Sequence, residues 1–113
     1  MATLTAQTIS RAGVEPSLAS AAGGGDQFIN SGSEFFEVVN GGGGGITVTI
    51  ATQATVDGKA IADDAISVGA GEAHRIGPFP PGLYNDANGY VQVTYSGVTS
   101  VTVGVFRMVN SAH

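Results

Sequence analysis

Glu72 and His74 come closest to a chemical constellation in this sequence. Two positions apart, they project from one face of a strand. With a carboxylate from Asp57, Asp63, Asp64 or Asp86 they would have the donor types of a metal site or an acid-base pair. The pattern stops there, because no EF-hand loop, HExxH or two-His-one-carboxylate spacing surrounds them and the other histidine is His113. None of the serines stands in GxSxG, so no serine nucleophile is indicated. The absence of cysteine excludes disulfides, thiolate catalysis and cysteine-based zinc or iron-sulfur centres. The expectation is therefore a non-enzymatic protein with no metal or other cofactor, and Glu72 and His74 read as a solvated turn or a polar contact.

Asn40 followed by Gly41 to Gly45 invites comparison with a phosphate cradle. A P-loop needs GxxxxGK[ST] with a helix N-terminus behind it, whereas Gly45 leads straight into the strand-like run ITVTIAT. Two readings remain: a flexible tip joining antiparallel strands, or a glycine loop, with Gly43 at its middle, that moulds onto a neighbouring subunit. Arg11, Arg75 and Arg107 are scarce charges in a chain that is only 12% charged. Arg75 and Arg107 are expected to pair with carboxylates, within the chain or across an interface, since guanidinium forks anchor interfaces. Phe79, between Pro78 and Pro80, lies outside any central strand and is either a plug under the end of the domain or an exposed contact.

The elements that must carry these residues are written in period two. Glu34 to Val39, Ile46 to Thr52, Tyr90 to Tyr95 and Ser100 to Met108 are the clearest strands, rich in β-branched and aromatic residues. Alternation places Val48, Ile50, Val91, Val93, Val101 and Val103 on buried faces. Ser96-Gly97-Val98-Thr99 has hairpin length, which predicts that the last two strands are antiparallel neighbours. Weaker strands are expected at Gln27 to Ile29, Thr55-Val56, Ala65 to Val68 and His74 to Ile76, and the best candidate for a helical turn is Asp57 to Ala65. Turn signals every 8 to 12 residues or so suit an all-β antiparallel sandwich, jelly-roll or immunoglobulin-like, of seven or eight strands.

At 113 residues the chain has one domain's worth of sequence. Net charge −5 gives no basic footprint for nucleic acid or an anionic bilayer, and no window approaches the roughly 20 apolar residues of a membrane helix. Met1 to Ser10 lacks the cationic start and apolar stretch of a cleaved signal peptide. Residues 1–25, rich in Ala, Ser, Thr and Gly, read as an extended N-terminal arm. Thr3 to Ile9 is strand-compatible but has too little apolar area to fold unaided. Residues 26–113 form the sandwich. On this division, deleting residues 2–20 leaves the core intact and removes a strand that adds to a neighbour's sheet edge.

Several segments together resemble a known class of protein: ISRAGVEPSLASA (9–21), GGGDQF (23–28), NGGGGGITVTIAT (40–52), GEAHRIGPFPPGLYNDANGYVQVTY (71–95) and VTVGVFRM (101–108). They are similar to head decoration, or cement, proteins of tailed bacteriophages. The resemblance implies a β-sandwich made in the host cytoplasm and bound to the outer surface of the virion head, where it clamps subunits of the major capsid protein, often as a homotrimer. The contact residues it suggests are Thr3, Leu4, Ile9, Arg11, Val14, Gly43, Arg75, Phe79 and Arg107. A rival reading is a carbohydrate-binding or adhesion module of a tail fibre or cell surface, since sandwiches also serve as lectin scaffolds. Only three tyrosines and no tryptophan are present to stack on sugars.

Overall fold

The computed structural model describes residues 2–13 and 15–108, with backbone alone at Val56, Ala60 and Met108; Val14 and His113 lie outside the described residues. Along the chain run β1 (Ala2–Leu4), β2 (Ala6–Ile9), β3 (Ala19–Ser20), β4 (Asp26–Ile29), β5 (Glu34–Asn40), β6 (Ile46–Ile50), β7 (Thr55–Val56), β8 (Lys59–Ala60), β9 (Asp64–Val68), β10 (Ala73–Ile76), α1 (Pro81–Tyr84), β11 (Tyr90–Tyr95) and β12 (Val101–Met108). They build a two-layer β-sandwich. One sheet has the order β1-β4-β11-β6-β9, the other β10-β5-β12-β2 with β3 also on β12, and β7 and β8 form a separate hairpin. This is more strands than the seven or eight expected, because the N-terminal segment contributes three and Lys59–Ala60 a fourth.

Alternation sorts the side chains as the sequence requires. Val48, Ile50, Val91, Val93, Val101 and Val103 are all buried between the sheets. Valine alone leaves the ends of such a layer thin, and aromatic rings fill them. Phe28 stacks on Phe36 with centroids 6.0 Å apart, Phe79 meets Phe28 at 5.7 Å, and Tyr84 closes edge-on against Phe79 at 5.3 Å. Phe79 is thus the plug and not an exposed contact, with 2% of its surface accessible. Asn30 clasps the plug from outside, its Nδ2 donating to the Phe79 carbonyl and to Asn85 Oδ1, each at 2.8 Å.

Three local expectations give way to tertiary structure. β11 and β12 are not hairpin partners: β11 pairs with β4 and β6, while β12 pairs with β5, β2 and β3. The 96–100 connection, with Ser100 at φ +59°, arches between the layers. Glycines 41–45 likewise carry the chain from β5 in one sheet to β6 in the other, so they do not form a hairpin tip. The helical turn expected over Asp57–Ala65 is instead the β7–β8 hairpin and the start of β9. Asp57 and Gly58 take positive φ of 52° and 77°, as a two-residue hairpin turn demands. The described residues contain one short helix, Pro81–Tyr84, with proline in its first turn, where the missing N–H has no partner to lose.

The largest difference lies in residues 1–25. β1 joins β4 in parallel, the chain crosses to the other layer at Thr5, and β2 joins β12 in parallel over Ala6–Ile9. After a loop held by Gln7, whose side chain bonds both the Ser17 N–H and carbonyl, β3 pairs with β12 and Ala21 enters the core. The segment is therefore part of its own sandwich, and residue 25 is no boundary. Its low apolar content suffices because backbone ladders hold it. β1 and β2 seal one flank of the sandwich; β9 and β10, joined through residues 69–72, form the other.

Two outcomes follow. Deleting residues 2–20 strips β12 of one side of its ladder and should lower the thermal midpoint markedly, as read by circular dichroism; an unchanged midpoint contradicts this placement. The second concerns alkali. The Tyr84 hydroxyl donates to Asp64, and this bond foremost, then burial, raises its pKa to about 12 from an ordinary 10.0. Tyr95 is raised as well, by burial and then by its 2.6 Å bond to Asp26. A folded-state pKa above the unfolded value stabilises below the unfolded value and is lost as pH rises. The urea midpoint should accordingly fall between pH 10.0 and about 12, and Tyr84→Phe should make that fall shallower.

Candidate contact surface

Strand direction gathers four loops at one end of the sandwich. β5, β9 and β11 run into it, and β4, β6, β10 and β12 run out of it. The loops are Ala22–Gly25, Gly41–Gly45, Gly69–Glu72 and Ser96–Ser100, and they hold most of the chain's 18 glycines. Glu72 is their one ionisable side chain.

A glycine run of this kind has no order of its own, and Asn40 supplies it. The side chain is 1% exposed. Its Nδ2 donates to the carbonyls of Gly44 at 2.9 Å and Val68 at 3.1 Å, and its Oδ1 accepts from the Gly42 N–H at 3.0 Å. Its main chain binds the neighbouring turn, donating to the Glu72 carbonyl and accepting from the Gly71 N–H, while the Gly41 N–H donates to Ser100. The loop lies tight against its neighbour: a Cβ on Gly41 or Gly42 would stand 3.1 Å from the carbonyl oxygen of Ser100 or Thr99, so the 96–100 connection would have to give by a few tenths of an ångström. At Gly43 and Gly44 a Cβ would meet nothing. The loop is a braced crest with Gly43 and Gly44 at its open part.

Glu72 and His74 share a face as their spacing predicts, with Nε2 of His74 3.1 Å from Oε1 of Glu72. That bond first, and the Gly69 N–H second, hold the Glu72 carboxyl below its ordinary pKa. The aspartates considered for a third ligand are committed elsewhere. Asp57 lies in the hairpin turn, Asp63 accepts from Thr52, Asp64 from Tyr84, and Asp86 holds the turn before β11. Among the described residues no group of three or more His, Cys, Asp or Glu could hold a metal.

A second feature lies on the outer face of the β10-β5-β12 sheet. Phe35 and Phe106, opposite each other in the ladder, stack at 5.7 Å and 26°. With Ile9, Pro16, Glu37 and Arg75 they line a groove of about 300 Å³. The Arg75 side chain, 74% exposed, is anchored through its guanidinium at 2.8 Å to Glu37. Arg107 lies elsewhere, 3.8 Å from the buried Glu34, in a smaller groove of about 210 Å³ with Thr3, Leu4 and Ile29. Burial works against the charge on Glu34, yet the N–H and hydroxyl of Ser31, together with the main-chain N–H groups of Glu34 and Ser33, outweigh it and keep this carboxyl below its ordinary pKa. Both arginines thus find carboxylates within the chain.

The structure does not bring the sequence-predicted contact residues to one face. Gly43 tops the glycine end; Ile9 and Arg75 border the aromatic groove; Thr3, Leu4 and Arg107 border the other groove. Arg11 is exposed in the loop after β2, Phe79 is interior, and Val14 lies outside the described residues. Sequence reading noted Asn40 only as the residue before the glycine run, without its bracing role, and passed over the Phe35–Phe106 pair. The adjacent phenylalanines of EFFEVV carried a signal, since in a strand one must face outward.

Comparison with known proteins finds no matching family model, curated protein or solved structure.

If Asn40 organises the glycine end, Asn40→Ala should cost roughly 2–4 kcal/mol, because the Val68 carbonyl and the loop amide lose their partners. Urea unfolding measures this directly, and a cost below about 0.5 kcal/mol would show that the glycines hold themselves.

Proposed function

We propose that this protein is a non-enzymatic decoration protein of a tailed-phage head, seated on the outer surface of the major capsid protein, with its own copies forming a homotrimer. The observation that carries the reading is the braced, nearly uncharged glycine end. The centres of protein interfaces are depleted of charge, and a surface of ordered backbone lets a partner approach closely while immobilising few side chains. The sequence resemblance points the same way. Such a contact needs only a standard patch of about 800 Å² per partner, and several copies acting together gain effective concentration. Binding that favours the assembled shell stabilises it by about 2.7 kcal/mol per site at a hundredfold excess over Kd.

Gly43→Glu tests the reading cleanly, because a side chain there meets open space and should leave folding intact. Wild-type protein should co-sediment with phage heads stripped of decoration protein and saturate them, while Gly43→Glu should bind at least about tenfold more weakly with an unchanged thermal midpoint. Wild type that never co-sediments defeats the proposal. Equal binding by the variant moves the contact away from the glycine end.

The Phe35–Phe106 groove favours a second reading, a carbohydrate-binding module, since the partly exposed Phe35 ring, backed by the buried Phe106 and bordered by a guanidinium and a carboxylate, suits a sugar ring. A glycan array distinguishes it: specific binding abolished by Phe35→Ala supports this alternative.

A further inference from the structure

The chain contains two Asn-Gly steps, Asn40-Gly41 and Asn88-Gly89, and the structure treats them in opposite ways. An asparagine followed by glycine can modify itself: the next residue's main-chain nitrogen, with no neighbouring side chain to shield it, attacks the carboxamide carbon. Asn40 is held back. Its carboxamide is buried and makes three hydrogen bonds, and the Gly41 nitrogen is engaged with Ser100 at 2.9 Å. Asn88 is exposed, and its side chain makes no hydrogen bond among the described residues; only its main-chain N–H is engaged, donating to Asp86. The Gly89 nitrogen is restrained by one turn bond, 3.1 Å to the Asp86 carbonyl.

We propose that Asn88 is a spontaneous modification site at which the asparagine converts to isoaspartate and aspartate. The Gly89 nitrogen forms a bond to Cγ of Asn88. The Cγ–Nδ2 bond breaks, and Nδ2 leaves as ammonia carrying the proton lost from Gly89. Water then opens the resulting cyclic imide at either of its two carbonyls. Opening at the main-chain carbonyl leaves the backbone running through Cγ, which is isoaspartate; opening at Cγ gives aspartate.

The position makes the change consequential. One carboxylate, Asp86, accepts from the N–H groups of Asn88 at 2.9 Å and Tyr90 at 3.0 Å and from the Gln92 side chain at 2.8 Å. The Gly89 carbonyl accepts from the Asn30 N–H at 3.1 Å, at the residue that clasps the Phe79 plug. Isoaspartate lengthens the main chain inside this turn, and both products bring a carboxylate up to Asp86. The start of β11 and the plug clasp loosen together, so Asn88 acts as a slow one-way clock on that end of the sandwich.

The test is to incubate the purified full chain in mildly alkaline buffer at physiological temperature. Isoaspartate is then followed by methyltransferase labelling and peptide mass mapping, beside a free peptide spanning residues 84–92. Conversion at residue 88 should outpace conversion at residue 40 by at least about tenfold, because Asn40 must first break buried hydrogen bonds. Asn88→Gln, with its fold checked by circular dichroism, should lose the label. Equal rates at the two positions, an intact Asn88 over a time in which the free peptide converts, or a label that survives Asn88→Gln would each overturn the proposal.

Discussion

The main-chain ladder of β12 is the constraint on which the rest of the sandwich depends. A strand at the centre of a sheet needs partners on both edges, and β12 satisfies them unequally. β5 covers one edge over seven register pairs, from Val101 opposite Asn40 to Arg107 opposite Glu34. The other edge is shared, β3 taking the first part and β2 the last. That sharing forces the intervening residues to loop outward and return across the sheet, which brings Leu18 and Ser17 over Gly104. A Cβ on Gly104 would stand 2.8 Å from Leu18 Cδ2 and 3.2 Å from the Phe106 ring. Glycine in mid-strand, ordinarily a weakness, is what lets the loop pack there. The aromatic groove borders the same loop through Ile9 and Pro16.

Much of this was legible in the residues, and the illegible part has a physical cause. Period two told which face of each strand is dry, and Val48, Ile50, Val91, Val93, Val101 and Val103 lie where it put them. It could not tell which sheet a strand joins. In a two-layer fold both inner faces look alike, so a short glycine-bearing connection reads equally as a hairpin or as an arch between layers. The N-terminal segment was misread for a related reason. Apolar content measures what a segment can bury, whereas β1, β2 and β3 are held by hydrogen bonds that are blind to side-chain identity. The role of Asn40 was hidden because its partners are backbone atoms of the glycine run, of Val68 at the end of β9 and of the 69–72 turn. Phe79 and the two carboxylate-paired arginines were closer to the surface of the sequence: proline neighbours kept Phe79 out of a strand, and a chain with so few cations gives each one a high chance of a partner.

The proposed contact and the groove differ in kind. The glycine end presents ordered backbone with little charge, suited to meeting a broad protein surface. The groove presents the Phe35 ring, backed by the buried Phe106, with an ion pair on its rim, suited to a compact ligand. Both draw on β5, which ends in Asn40 and carries Phe35 and Glu37 on its outer face. The two surfaces therefore share a rigid support, and its inward residues are fixed by the core.

The pairing of β2 with β12 also dictates an order of events. Residues 6–9 lie against residues 105–108, so these contacts join parts of the chain separated by nearly its whole length. Contacts of such long range close late, because loop-closure entropy must be met before they return any stabilisation. During synthesis the N-terminal strands emerge first yet have no complete seat until β12 has been made. The sandwich is thus zipped by β12, and although β1 can pair with β4 early, a growing chain holds β2 and β3 without their partner strand until then.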